Sequence, residues 1–135
     1  PFSRSVGGRR MSTIKRGLKI EPEDIITFSG DLSKEVRVTF SVTNKSDQKL
    51  AYKIKCTKNE AFKISSAIDV IPSGQQRQIT ITYRPIAEEI SDRHHIGIYY
   101  IPAPEGCTAN SVWKEHYGPP CGEYRLRINM DPTQE

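Results

Sequence analysis

Short segments that alternate apolar and polar residues run along most of this chain. The clearest runs from Leu50 to Thr57, where every second residue is a large apolar residue or a cysteine. Successive side chains of a β-strand point to opposite faces, so this segment predicts a strand with one face on a core. Its outward residues would be Ala51, Lys53, Lys55 and Thr57.

A second segment, Tyr124 to Met130, repeats this pattern near the end of the chain. Its inward positions would be Tyr124, Leu126, Ile128 and Met130, and its outward positions Arg125, Arg127 and Asn129. If both segments lie in one sheet, their outward side chains form a basic surface on a rigid support.

Similar segments fill most of the remaining sequence, and turn-forming residues such as Pro72-Ser73-Gly74 separate them. Only residues 110–117 break the pattern, and they predict one or two helical turns with Asn110 or Ser111 as the N-cap. Seven or more short strands with hardly any helix indicate an all-β, immunoglobulin-like sandwich. The further strands are predicted at 18–20, 24–28, 35–43, 61–65, 67–71, 77–84 and 94–101.

The net charge of +4 is unevenly distributed along the chain. Residues 1–20 carry six basic side chains and no acid, so residues 21–135 hold 14 basic and 16 acidic residues, a net charge of −2. Residues 1–17 are rich in Gly, Ser and Arg and predict a disordered tail, followed by one domain over 18–132 and a short tail over 133–135. A folded region without a basic excess argues against general nucleic-acid binding.

The cysteines and the hydropathy of the chain indicate in which cellular compartment it is expected. Three cysteines cannot all pair with one another, and Cys56 falls on the inward side of its strand, so we expect free thiols in a reducing, cytoplasmic setting. No apolar run approaches 18 residues, so no transmembrane helix is expected within these boundaries. If the chain is part of a longer protein, it could instead be cytoskeletal or lie at the cytosolic face of a membrane.

The basic tail contains a candidate modification site. Ser12 follows Arg9-Arg10-Met11, and an accessible serine close after an arginine pair suits a basophilic kinase. Phosphorylation would add about −2 of charge there.

Catalytic and metal sites are weakly indicated. Asp92, His94 and His95 lack a partnered nucleophile, and neighbouring histidines on a strand face opposite ways. The potential zinc ligands are Cys107, His116 and Cys121, which have neither a Cys-x-x-Cys spacing nor a fourth ligand. We therefore expect no catalytic residues, metal or cofactor. Trp113, in the short helical segment, is expected to close one end of the sandwich.

The order and spacing of several motifs together resemble the major sperm protein (MSP) domain, which nematode sperm proteins share with the membrane-anchored VAP proteins. The match covers roughly Leu18 to Pro132. The motifs are Leu18-Lys19-Ile20-Glu21-Pro22, Val42-Thr43-Asn44, Tyr52-Lys53-Ile54-Lys55-Cys56-Thr57, Ile71-Pro72-Ser73-Gly74, Ala103-Pro104, Val112-Trp113-Lys114-Glu115 and Arg125-Leu126-Arg127.

This resemblance implies a seven-stranded immunoglobulin-like sandwich without enzymatic activity. In the VAP branch, one sheet face binds the FFAT motif, a short acidic peptide with two aromatic residues. The residues that match its binding lysine and threonine are Lys55 and Thr57, and a basic residue on the last strand matches Arg125. Two positions depart from the pattern: a second lysine is replaced by His95, and a pocket methionine by Gly97.

The resulting candidate site comprises Lys53, Lys55, Thr57, His95, Gly97, Tyr99, Arg125 and Arg127. Outward side chains of antiparallel neighbours lie about 5 Å apart, so these cations would repel one another unless solvent or an acidic partner intervened. Apolar anchors for a ligand would lie near Ala51, Gly97 and Tyr99, and the missing side chain of Gly97 would leave room for one ligand group.

Two functions remain open from the sequence. One is a protein-interaction module that binds an acidic, FFAT-like peptide or a partner protein through the basic sheet face. The other is a self-assembling or filament-associated protein of the sperm type, acting as a homodimer or in filaments.

Overall fold

Nine β-strands and one short helix make up the part of the chain that the computed structural model describes, residues 17–91, 93–116 and 119–132. The strands are β1 (Leu18–Glu21), β2 (Ile25–Ser29), β3 (Val36–Asn44), β4 (Leu50–Cys56), β5 (Phe62–Ile64), β6 (Ile68–Ile71), β7 (Gln76–Tyr83), β8 (His95–Pro102) and β9 (Gly122–Asp131). The helix α1 spans Ala109–Lys114.

The strands form two sheets, which confirms the predicted all-β sandwich. A four-stranded sheet has the order β1-β3-β7-β5, and a five-stranded sheet has the order β2-β9-β8-β4-β6. All neighbouring strands are antiparallel except β2 and β9, which are parallel.

The nine strands fit the seven or more that the pattern predicted, but the count of seven that the resemblance implied was wrong, because the first strand is divided between the sheets and two further strands are very short. β1 pairs with β3 in one sheet, whereas β2 pairs with β9 in the other. Pro22, between them, has no N–H to donate to a continuing ladder. β5 and β6 have only three and four residues, yet each pairs with a longer neighbour.

The core lies between the sheets and follows the sequence alternation. The inward side chains of β4 are all buried, as are Leu126 and Ile128 of β9. Phe28, Phe62 and Tyr83 form a tilted aromatic cluster with ring centroids 5.1 to 6.3 Å apart. Stacking the two patterned sheets thus removes the apolar sets from water, which is the main stabilising contribution.

Asn44 joins the two sheets at one corner. Its fully buried amide donates to the carbonyls of Gln48 and Ile71, at 2.9 and 2.8 Å, and its Oδ1 accepts from the N–H and hydroxyl of Ser46. Gly74, with φ +79°, donates its N–H to the Asn44 carbonyl. The predicted Pro72-Ser73-Gly74 turn therefore packs on this corner, with glycine at a backbone conformation that other residues rarely adopt.

The helix starts one residue earlier than expected. Thr108 is the N-cap, because its hydroxyl accepts from the N–H of Ser111, so the prediction of Asn110 or Ser111 was wrong. No described helix is long and apolar enough to cross a bilayer.

Candidate functional site

The inner three strands of the five-stranded sheet bring the predicted cations together on its outer face. Lys55 on β4, Gly97 on β8 and Arg125 on β9 lie side by side in register, so they form one row across the sheet. Because registered neighbours share a face, the long side chains of Lys55 and Arg125 flank the glycine. The expected spacing of about 5 Å between these cations was wrong, since β8 lies between β4 and β9 and places them two strands, about 10 Å, apart.

One further row lies on each side of this one. Lys53, Tyr99 and Glu123 form the first, and His95 and Arg127 belong to the second. We call the surface of Lys53, Lys55, Arg125 and Arg127 the basic face. On the described central strands, Glu123 is the one acidic side chain among these four cations.

Tyr99 covers Gly97, so the room expected above this glycine is not open. A β-carbon at Gly97 would lie 2.8 Å from the Tyr99 hydroxyl oxygen and 3.0 to 3.1 Å from two ring carbons. The ring therefore lies against the backbone of its own strand, and any side chain at this position would displace it. The expectation of a vacant space was wrong for this arrangement.

Aromatic rings lie close to both lysines of β4. Lys55 Nζ lies 5.9 Å from the centroid of Tyr99, and Lys53 Nζ lies 4.7 Å from the Trp113 ring. A cation near a ring face is attracted by the ring quadrupole, about 0.5–1 kcal/mol at exposed sites. These contacts favour conformations in which the ammonium groups stay over the sheet.

Arg125 forms an exposed ion pair with Glu123 of the same strand. Its Nε lies 2.9 Å from Glu123 Oε2, and this hydrogen bond raises the pKa of the Arg125 guanidinium. The Arg125 side chain remains 63% exposed. Exposed pairs contribute little to stability, so a carboxylate from another molecule could compete for this guanidinium.

Thr57 and His95 are engaged at the end of β4. The Thr57 hydroxyl accepts from the His95 N–H at 3.0 Å and lies 2.9 Å from His94 Nδ1. Thr57 is nevertheless exposed, and His95 is half-buried beside Arg127. These bonds hold the adjoining ends of β4 and β8 together, which fixes the border of the basic face.

Trp113 lies on the outer face of the five-stranded sheet, so the prediction that it closes an end of the sandwich was wrong. With Val112 it packs over the buried residues Ala51, Ile101 and Ala103. Its indole Nε1 is buried and has no hydrogen-bond partner within the described structure. Ala51 is therefore covered and cannot contact a ligand, contrary to expectation. Ala51 and Ile101 are apolar at outward positions, which was the sequence signal that something covers them.

The weaker candidates stay apart from the basic face. Over residues 17–91, 93–116 and 119–132, no three His, Cys, Asp or Glu side chains are grouped so as to hold a metal ion. Cys56 is buried, and burial raises the pKa of its thiol. Ser12 and Asp92 lie outside the described residues.

A family model described as the MSP (major sperm protein) domain matches residues 17–116. The chain belongs to the MSP domain family. The match includes β4 and β8 with Lys53, Lys55 and Tyr99, whereas β9, with Arg125 and Arg127, lies beyond it. A search of curated proteins by sequence gives no significant match.

Solved structures agree with this family at the level of the fold. WR4, a Caenorhabditis elegans MSP family member, is 20% identical with a TM-score of 0.69, covering 84% of this chain and 97% of its own. SSP-19, an MSP-domain protein from the same organism, is 18% identical with a TM-score of 0.70, covering 84% and 98%. The ASH/PapD-like domain 7 of human CEP192 is 11% identical with a TM-score of 0.61, covering 100% and 92%.

Proposed function

We propose that this MSP-type domain is a non-enzymatic interaction module that binds an acidic, extended segment of a partner protein on the basic face. The observation that carries the proposal is the row of Lys55, Gly97 and Arg125, in which two cations flank a position with no side chain of its own. Lys53 and Arg127 extend the positive surface in opposite directions along the strands.

Charge alone supplies modest affinity at such a surface. Each exposed ion pair contributes about 0–1 kcal/mol, so several pairs mainly raise the association rate and select a negatively charged partner. The rings of Tyr99 and Trp113 offer the apolar contact that a micromolar complex would need. The three free thiols fit a protein of the reducing cytoplasm.

The test is a titration with a labelled ten-residue peptide of glutamates, glycines and two phenylalanines, against the same peptide with glutamines in place of glutamates. We expect micromolar binding of the acidic peptide, lost in Lys55→Asp. Lys63→Asp is the matched control, because Lys63 is an exposed lysine on the other sheet.

Equal binding of both peptides, or an unchanged affinity of Lys55→Asp, would overturn the proposal. Absence of peptide binding together with concentration-dependent sedimentation of the protein alone would favour the self-assembling function instead.

A further inference from the structure

Two large apolar side chains are exposed in the part of the chain that the structure describes, and both lie beside the basic face. Ile25 is 38% exposed and Ile68 is 40% exposed. Ile25 is on β2 and Ile68 on β6, the two edge strands of the five-stranded sheet. Ile25 is in register with Arg127, and Ile68 with Lys53, so both isoleucines are on the outer face with the cations.

The two isoleucines lie at opposite ends of a diagonal across the sheet. Ile68 belongs to the row of Lys53, and Ile25 belongs to the row of Arg127. The row of Gly97 lies between these rows, so the diagonal crosses the centre of the basic face. It passes between the two lysines of β4 and then between the two arginines of β9.

The length of this diagonal can be estimated from strand geometry. Five strands spaced about 4.8 Å apart and an offset of four residues at about 3.4 Å give roughly 23 Å. An extended peptide spans this distance in about seven residues.

We infer that the partner segment carries an apolar residue, an acidic centre and a second apolar residue about seven positions from the first. This inference rests on the proposed function, and it adds the spacing of the anchors. The end at Ile68 has the wider apolar surface, because the half-buried Trp113 ring lies beside Lys53, which is in register with Ile68. An aromatic group therefore fits the Ile68 end and an aliphatic group the Ile25 end.

A peptide fits this surface better than a second copy of the chain. Symmetric pairing of two basic faces would oppose lysines and arginines, and like charges held together are destabilising. A second copy would also find it difficult to pair along the edge of β6, because the Val70 carbonyl there already accepts from Arg77 Nη2 at 3.2 Å.

The test is a double-mutant cycle between peptide and protein. The parent probe is a nine-residue peptide with phenylalanine and leucine seven positions apart and glutamates between, and the second probe has serines in place of both anchors. Ile25→Ser and Ile68→Ser should each weaken binding of the parent peptide about fivefold and leave binding of the serine peptide unchanged. A peptide of the same composition with its two anchors only four positions apart, the three displaced glutamates lying outside them, should bind about fivefold more weakly than the parent peptide, since it can reach only one edge at a time.

The outcomes separate this inference from the proposed function. If Lys55→Asp abolishes binding while both isoleucine variants bind the parent peptide normally, the anchor positions are wrong and the acidic-segment function stands. If Lys55→Asp has no effect, both are wrong. If the wild-type chain sediments as a dimer and the isoleucine variants as monomers, these side chains serve self-association and the inference is overturned. Melting temperatures of all variants within a few degrees of wild type show that the effects come from the surface.

Discussion

The outer faces of the two sheets differ in how their polar side chains are satisfied. On the four-stranded sheet, Thr39 and Thr80 hydrogen bond to each other at 3.0 Å, and Gln76 donates to Thr43 at 3.1 Å. On the five-stranded sheet, four cations surround one carboxylate. The same alternation of strands thus produces one surface whose neutral polar side chains bond to one another and one surface on which four clustered cations share a single carboxylate. An unmatched charge is the feature that a partner can complete, and this singles out the basic face.

The buried Asn44, which joins the two sheets, tests whether they unfold as one cooperative unit. Asn44→Ala removes the donor to the Gln48 and Ile71 carbonyls, so we expect the free energy of unfolding to fall by about 3 kcal/mol. Denaturant unfolding measures it. Asn129→Ala is the control, because this asparagine is exposed and makes only a 3.4 Å bond to Thr27. A loss of less than about 1 kcal/mol would show that the corner does not join the sheets.

Matched arginines on the two faces separate the effect of position from the effect of net charge. Arg125 pairs with Glu123 at 2.9 Å, and Arg37 pairs with Glu35 at 3.0 Å on the other sheet, with similar exposure. Arg125→Glu should weaken binding of the acidic peptide about tenfold, or about 1.4 kcal/mol. Arg37→Glu should leave binding within about twofold. Equal losses would mean that net charge, and not the basic face, attracts the peptide.

Placing two adjacent lysines on the outer face of the four-stranded sheet tests whether cations clustered on a sheet reduce stability when no partner is bound. Thr39→Lys combined with Thr80→Lys places two lysines opposite each other, because these residues are in register. Like charges directly opposite are unfavourable, so stability should fall by about 0.5–1 kcal/mol and recover in part at high salt. Calorimetry at two salt concentrations measures this change, and Thr39→Ser with Thr80→Ser is the control. No salt-dependent loss would show that paired lysines on a sheet are tolerated without a partner.

A smaller effect concerns the ion pair beyond the end of β4. A hydrogen bond from Lys58 lowers the pKa of the Glu88 carboxyl below its ordinary 4.5, and the Nζ–Oε2 distance is 2.9 Å. A carboxyl whose pKa is lower in the folded state stabilises the protein above its ordinary pKa, and this contribution is lost as the pH falls through the folded value.

Glu88→Gln should therefore be slightly less stable than wild type at pH 7, and the difference should diminish as the pH falls below 4.5 and through the lower pKa of the folded state, as measured by thermal unfolding across pH. Glu105→Gln is the control, because Glu105 is 93% exposed and 3.8 Å from Lys49. A difference between Glu88→Gln and wild type that stayed constant down to pH 3 would contradict the assignment to ionisation.

The sequence predicted the strands well because alternation reports directly on burial. The alternate residues from Leu50 to Cys56, and likewise Leu126 and Ile128, face the core as their spacing indicated. The register between strands could not be derived in this way, since the row of Lys55, Gly97 and Arg125 joins segments 28 to 42 positions apart along the chain. That row depends on turn geometry and on packing between the sheets.

The surroundings of the site were harder to predict than the site itself. Tyr99 was expected to be an outward ligand-binding residue, but no spacing rule tells which neighbour its ring will cover. Trp113 was assigned to an end of the sandwich because its helix was treated as a connection and not as a covering element. The position of Trp113 depends on a non-local contact to Ala51, whereas that of Tyr99 depends on a rotamer that lays its ring over Gly97, two residues away on the same strand, and alternation specifies neither.

The contact between Tyr99 and Gly97 implies that, when no ligand is bound, the Tyr99 ring itself fills the space above Gly97. A ligand group can reach the main chain of Gly97 only after the phenol has rotated away, and the same rotation removes the ring from the Lys55 ammonium. Rotation of a half-buried side chain is fast, so the penalty would appear in the equilibrium affinity and not in the speed of capture. Ligands that keep the ring in place would avoid this penalty, which biases the domain toward partners that lie across the tyrosine and not beneath it.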